Sequence, residues 1–313
     1  MAAPPILEAI EISKYYGQRL AVDNVTLAVR RGEIAALLGP NGAGKTTTLS
    51  ILATLLRPDR GRILIDGKSP KDAVRRTIGL IPQSLALYPT LSVAQNVWHF
   101  ARMQGLSRKQ ARESCSRVLE EVGLGARAHD AMHALSGGMK RLLNLACGIV
   151  HQPPALMLDE PTVGVDLQSR ERILSSIRRY AENGAAVIYS THYMEEAERI
   201  CDRVLLIDRG KLIAEGSLEQ VVALGGGKPR VEITYRGRLP NERFARLTGV
   251  HEIAAMSSEG KATLEMNSLA QFGDVLDGLR GLGLNVIDFM LHSPNLSDAF
   301  IALTGRELRD QVQ

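Results

Sequence analysis

The sequence predicts an α/β fold built on a largely parallel sheet, and three observations carry that prediction. Short, nearly unbroken apolar runs recur through the first two thirds of the 313 residues. Helical patterns alternate with those runs. The first of them ends in a glycine-rich loop that opens a helix. Strands covered on both faces read as continuous apolar runs rather than as alternating ones, because neither face meets water. The runs are "EIAALL" (33–38), "RILI" (62–65), "ALMLD" (155–159), "AAVIYS" (185–190) and "RVLLI" (203–207), all expected in one parallel sheet.

Between about 90 and 135 the chain is helical without intervening strands. Ser107 and Gln110 form a capping box, apolar residues follow at Ala111, Cys115, Val118, Leu119 and Val122, and Gly123 stops the helix. This predicts a helical insert over about 90–150 within an α/β domain spanning 1–217. Near residue 218 the character changes, and "LGGGKPR" (224–230) reads as a linker. Beyond it "VEITY" and "KATLEMN" alternate with period two. Ser268 and Gln271 make a second capping box ahead of Leu269, Phe272, Val275, Leu276 and Leu279. A last strand near "NVIDFML" precedes a helix from about Leu296 to Leu303, stopped by Gly305. Residues 218–313 are therefore expected to form a small α+β domain.

Composition narrows the class. Hydrophobic residues make up 45% and charged residues 23%, and no apolar run approaches the roughly 18 residues that a membrane span needs. The start, "MAAPPILEAIEIS", lacks the basic stretch and long apolar core of a secretory leader. Cys115, Cys147 and Cys201 are odd in number, widely spaced and set in helical or apolar patterns, which suits structural thiols in a reducing cytosol. Lys and Arg number 28 against 22 acids before residue 218, and 10 against 12 after it. With no dense basic tract interleaved with aromatics, no nucleic-acid partner is expected.

"GPNGAGKTT" (39–47) follows a buried strand and opens a helix, the setting in which G-x-x-x-x-G-K-[ST] is a phosphate loop. In the run Gly39, Pro40, Asn41, Gly42, Ala43, Gly44, Lys45, Thr46, Thr47, the glycines let N–H groups converge on phosphate oxygens and the helix start adds partial positive charge. Lys45 is placed for the β and γ phosphates of a nucleotide, and the Thr46 hydroxyl for Mg²⁺. In "LMLDE", Asp159 closes an apolar strand, where a carboxylate can hold the metal, and Glu160 is placed to polarise an attacking water; a plain helix start is the other reading of such an acid pair. His192 sits where a strand meets a helix, the usual place for ligand chemistry in open α/β sheets. Gln83, after "TIGLIP", is a neutral side chain suited to touch both metal and water. "LSGGM" (135–139) is a serine cap on a glycine-rich helix start, hence a second anion-seeking N-terminus, and the residues alone do not say where it points.

Together "GPNGAGKTT", Gln83, "LSGGM", "LMLDE" and His192, in that order, resemble the nucleotide-binding subunit of an ATP-binding cassette (ABC) transporter over roughly residues 6–217. "LNLACGIVHQPPALMLDEPTVGVD" and the tail "SPNLSDAFIALTGRELRD" are similar to ATPase subunits of ABC-2 type exporters, which include drug and polysaccharide or lipid exporters. The resemblance implies a P-loop ABC ATPase core with a helical subdomain. It also implies ATP and Mg²⁺ as ligands, a homodimer or heterodimer of nucleotide-binding subunits, a separate ABC-2 type membrane permease, and a peripheral place on the cytoplasmic face of the inner membrane. Ser136, Gly137 and Gly138 of one subunit would close over the γ-phosphate held by the other. Tyr16 would stack on adenine, with Tyr15 as the alternative. Asp166 would cap the next helix and bridge the subunits, and Leu85 to Asn96 would face the permease. Met139 stands where many cassettes have Gln, and Leu167 where Pro is frequent. A soluble cassette ATPase acting on DNA or ribosomes is the competing reading; the chain has neither the coiled-coil insert nor the second cassette of those proteins.

Overall fold

The computed structural model describes residues 4–70, 77–236, 247–257 and 260–305; residues 1–3 of the quoted start and 306–310 of the quoted tail lie outside the described residues. The chain divides after Leu218 into two compact units.

The first unit is built on a six-stranded sheet of β3 (Ile34–Leu38), β5 (Ile78–Ile81), β6 (Ala155–Asp159), β7 (Ala186–Thr191), β8 (Arg203–Asp208) and β9 (Lys211–Gly216), in the order β5-β6-β7-β3-β8-β9. The first five are parallel and only β9 runs against its neighbour β8. Every residue of β3, β6 and β7 is buried, the physical reason their apolar runs are unbroken. A three-stranded antiparallel sheet, ordered β2-β1-β4, joins β1 (Pro5–Tyr16), β2 (Arg19–Arg30) and β4 (Arg60–Ile65).

This corrects the reading of "RILI". The segment pairs antiparallel with β1, Ala9 opposite Ile63 and Leu7 opposite Ile65, and only Ile63 and Ile65 are fully buried. Four apolar letters do not distinguish a strand covered on both faces from one covered on one. Strands β1 and β2 also went unread, although "VTLAV" alternates with period two, as a one-face strand must.

Two cores flank the central sheet. On one side β1, β2 and β4 close over α1 (Lys45–Leu52), with Leu49, Ile51 and Leu52 packed against Leu37, Met157 and Ile188. On the other, α2 (Val93–Met103), α3 (Arg108–Glu121), α4 (Gly137–Ile149) and α5 (Leu167–Glu182) share a core with Leu156, Leu158 and Tyr189. The expected cap is formed: Ser107 Oγ accepts from the Gln110 N–H, and Gln110 reaches back to the Ser107 N–H. Ser92 caps α2 in the same way with Gln95. Between α3 and α4 the described chain makes only short 3₁₀ turns and a single bridge, Ser92 to Ala131. A short helix, α6 (Met194–Ile200), follows β7.

The second unit is α+β. After α7 (Leu218–Leu224), strands β10 (Arg230–Arg236), β11 (Val250–Ser257), β12 (Lys261–Met266) and β13 (Asn285–His292) form an antiparallel sheet ordered β11-β12-β10-β13. Val275 and Leu279 of α8 (Phe272–Gly281) pack on Val231, Ile233 and Leu264. The chain then forms α9 (Leu296–Thr304), which ends at a left-handed Gly305. The glycine run 225–227 is not a free linker: the Gly225 backbone lies against Ala299 of α9. The second capping box does not form. A 3₁₀ turn, Leu269–Gln271, intervenes, the helix starts three residues late, and Ser268 makes no side-chain cap.

One buried amide organises the stretch after β5. Asn96 of α2 donates to the carbonyls of Tyr88 (3.1 Å), Leu91 (3.3 Å) and Ser92 (3.0 Å), and accepts from the Tyr88 N–H at 2.8 Å. Asn96→Ala strips these partners from partly buried backbone groups that water can reach in part, so the loss should be about 1 kcal/mol. The urea midpoint should fall accordingly; an unchanged midpoint would mean the loop holds its own shape.

Candidate active site

Parallel strands deliver their carboxyl ends to one edge, and the predicted residues arrive there together. Strand β3 runs into the loop 39–47, β5 leads to Gln83, β6 ends in Asp159 and Glu160, and β7 in Thr191 and His192. Gly39 and Gly44 are dictated by close approach. A Cβ on Gly39 would lie 2.1 Å from the Ile207 carbonyl oxygen, and one on Gly44, where φ is +105°, 2.5 Å from the Ala21 carbonyl oxygen. Gly44 is the N-cap of α1, which has no side-chain cap and no acid in its first turn, so its leading N–H groups and positive helix end have no anionic partner from their own helix.

Lys45 turns back into the loop. Its Nζ donates to the carbonyls of Gly39 (2.8 Å) and Pro40 (3.2 Å) and lies 3.3 Å from Glu160 Oε1; the Lys45 and Glu160 side chains are 5% and 7% exposed. Gln83 Nε2 donates to Glu160 Oε2 at 3.2 Å. His192 Nδ1 lies 3.1 Å from Glu160 Oε1, although the ring is not aligned for a hydrogen bond. Glu160 thus collects the ammonium, the amide and the imidazole around one carboxylate. Its own backbone is left-handed (φ 46°), held there by its N–H on the Ser190 carbonyl and hydroxyl at 3.1 and 3.2 Å.

Asp159 is buried beside it. Thr46 Oγ1 donates to Asp159 Oδ2 at 2.7 Å and Ser190 Oγ to Oδ1 at 2.6 Å. Ser190 was not singled out from the sequence; its place two residues before His192, in a strand beside β6, is the signal that marks it. Arg141 was missed as well. From α4 it bonds the Gln83 carbonyl and reaches the Val163 carbonyl at 3.5 Å, and burial lowers its guanidinium pKa.

The other candidates lie at the end of β1, in the loop itself and at the starts of α4 and α5. Tyr16 is 54% exposed at the end of β1 and pairs across the hairpin with Arg19, whose Nη2 comes within 3.7 Å of the space a Cβ on Gly42 would fill. Residues directly opposite in a sheet share a face, so Tyr16 lies beside Arg19 and Tyr15 beside Leu20. Asn41 is exposed, and Ala43 is buried in the core under β1 and β2. Thr47 follows Thr46 in the first turn of α1.

Ser136 caps α4 by accepting from the Met139 N–H at 3.2 Å. Gly137 faces open space, while Gly138 abuts the start of α5, where a Cβ would meet Ser169 at 2.0 Å and Asp166 at 3.0 Å. Asp166 caps α5, accepting from the Ser169 N–H at 2.9 Å and hydroxyl at 2.7 Å, and those bonds hold its carboxyl below the usual range. Among the described residues, neither Ser136 nor Asp166 hydrogen-bonds to the group around Glu160.

Such a loop, acid pair and imidazole at the carboxyl edge of a parallel sheet define a nucleoside triphosphatase of the phosphate-loop class. Residues 22–163 match the ABC transporter family model. Over 316 residues the chain is 38% identical to the linearmycin resistance ATP-binding protein LnrL of Bacillus subtilis, covering 97% of this chain and all of that one. It is 38% identical to the Nod factor export ATP-binding protein I of Cupriavidus metallidurans, covering 97% and 99%. Among solved structures, the dimeric post-hydrolysis ATP-binding cassette MJ0796 with ADP and Pi matches with a TM-score of 0.62 at 26% identity, over 67% of this chain and 98% of that one. The chain belongs to the ABC transporter family, as an ATP-binding cassette.

Gly39→Ala tests the loop. With 2.1 Å to a main-chain oxygen, the loop must shift off Ile207. Nucleotide affinity should fall at least tenfold, about 1.4 kcal/mol, with far-UV circular dichroism unchanged; a wild-type affinity would show that the loop has slack.

Proposed function

We propose that this chain is the ATP-binding and ATP-hydrolysing subunit of an ABC-2 type export system, working in a pair of such subunits beneath a separate transmembrane permease. The observation that carries the reading is the gathering of Lys45, Gln83 and His192 on the buried carboxylate of Glu160. A carboxylate so held acts as general base on the water that attacks the γ-phosphate, with His192 orienting the same phosphate. Lys45 and the start of α1 bind the phosphates, and Tyr16 stacks on adenine, where base stacking contributes about 1–3 kcal/mol.

The Thr46 hydroxyl, the Asp159 carboxylate and the Gln83 amide are hard oxygen donors that fit Mg²⁺, and the 2.7 Å Thr46–Asp159 bond already brings two of them together. When bound, Mg²⁺ neutralises charge on the β and γ oxygens.

The serine-capped start of α4 leaves Gly137 facing open space. This supports a composite site in which Ser136, Gly137 and Gly138 of one subunit complete the nucleotide pocket of the other, and Asp166 bridges the two. ATP binding then favours the closed pair and hydrolysis releases it.

A cleft of about 350 Å³ lined by Leu55, Leu80, Pro82, Phe100, Asn144 and His151 opens beside the stretch after Gln83, with Leu85, Tyr88, Trp98 and Met103 exposed nearby. A cleft of mixed polar and apolar lining, with those exposed side chains beside it, supports docking of a cytoplasmic helix of the permease, and with it a peripheral place on the inner membrane; no helix among the described residues is long and apolar enough to cross one. Residues 218–313 are proposed as an accessory domain, to which no site is assigned. Relatives that match along nearly the whole chain, second unit included, are named for resistance or export, which favours this reading over a soluble ATPase acting on nucleic acid or ribosomes.

Glu160→Gln keeps the shape and removes the base. ATP binding should persist and turnover fall by at least about a hundredfold, with a nucleotide-dependent dimer accumulating on gel filtration; undiminished hydrolysis would refute the general-base role. A second test mixes Lys45→Ala subunits with Ser136→Arg subunits in a homodimeric preparation. One intact composite site per mixed pair should restore activity that neither variant has alone, and a mixture as inert as its parts would count against sharing.

A further inference from the structure

Behind His192 lies a buried carboxylate that the hydrolytic reading does not use. Glu196, on α6 and 3% exposed, accepts from Thr162 Oγ1 at 2.8 Å, from Thr191 Oγ1 at 3.3 Å and from the Tyr189 hydroxyl, all on Oε2. Burial, with the charge of Glu196 beside it, pushes the Tyr189 phenol far above its ordinary pKa, so that group donates. The other oxygen, Oε1, faces Arg170 Nε at 3.3 Å across a gap in which neither atom completes a hydrogen bond. Each partner belongs to a segment that carries a site residue. Thr162 lies two residues after Glu160, Thr191 immediately precedes His192, and Arg170 stands one turn into α5 from its Asp166 cap.

Arg170 reaches His192 by a second route. Its Cζ sits 5.5 Å from the Tyr193 ring centre, over the face of the ring, and that ring lies against His192 at 4.1 Å between centres. A carboxylate removed from water at this depth costs several kcal/mol unless its neighbours compensate it. Three hydroxyls on one oxygen and a guanidinium on the other supply that compensation, and only in this arrangement of the three segments.

We propose that Glu196 and Arg170 are a positioning pair for ATP hydrolysis: the carboxylate fixes the turn that aims His192 at Glu160, and Arg170 ties that turn to the helix headed by Asp166. The inference rests on the ATPase reading above. Because α5 begins at the proposed partner-facing Asp166, a small shift of α5 that aligns Arg170 Nε with Glu196 also acts on the His192 turn. Closure of the pair is thereby sensed at the imidazole. Neither residue touches the reacting atoms.

The test uses the full-length chain and compares Arg170→Met, Glu196→Gln and the double variant by steady-state ATPase kinetics and by binding of a fluorescent ATP analogue. Glu196→Gln keeps one acceptor oxygen for the three hydroxyls and removes the charge that faces Arg170. Arg170 is one third exposed, so its replacement leaves the core intact. Each single variant should lose about ten- to a hundredfold in kcat, the scale of a misplaced catalytic group, with KM and analogue affinity within about twofold of the unaltered chain. The double variant should be no slower than the slower single, as expected of residues acting as one unit. Arg170→Lys, which keeps the charge, should recover part of the loss. A kcat within twofold of the unaltered chain in Arg170→Met, or losses that multiply in the double variant, overturns the inference while leaving the ATPase reading standing. Absence of hydrolysis in the unaltered chain overturns both.

Discussion

Opposite charges taken out of water constrain this molecule at one point, the contact of Lys45 with Glu160. Both side chains are almost wholly enclosed, and an ion so enclosed is tolerable only while its partners stay in place. The Gly39 and Pro40 carbonyls complete the ammonium, and Gln83 completes the carboxylate. Those partners come from three strands, and they meet because β5, β6, β7 and β3 are adjacent and parallel. Had the sheet been antiparallel, alternate strand ends would have pointed to opposite edges and no single carboxylate could have gathered them.

The glycines, the lysine and the two acids were legible because each has a local physical reason: a loop that only glycine can follow, a helix start without a counter-charge, an acid where an apolar strand ends. Four of the five parallel strands were legible for the same reason, since burial on both faces leaves an unbroken apolar signature; β5, short and with Leu80 only partly buried, was not read as one. What escaped the sequence depends on register between distant segments. The run 62–65 has the letters of a buried strand but the partner of an edge sheet. Ser268 carries the letters of a cap, yet the chain takes a 3₁₀ turn before the helix begins. Ser190 and Arg141 are unremarkable where they stand in the sequence and acquire meaning only once β7 lies beside β6 and α4 beside Gln83.

Two layers of polar organisation stand behind the reacting edge. The nearer one, Ser190 with Thr46, fixes Asp159 and the backbone of Glu160. The deeper one, around Glu196, joins the segments after β6 and β7 to α5. Each uses hydroxyls to settle a buried carboxylate, so orientation is fixed without adding net charge near the phosphates.

The crowding behind the phosphate loop has a consequence for substitution. With Gly39 against the Ile207 carbonyl and Gly44 against that of Ala21, the back of the cradle is main chain at both glycines. A loop bounded by backbone oxygens takes its outline from the main chain, so substitutions at Ile207 or Ala21 leave that boundary in place.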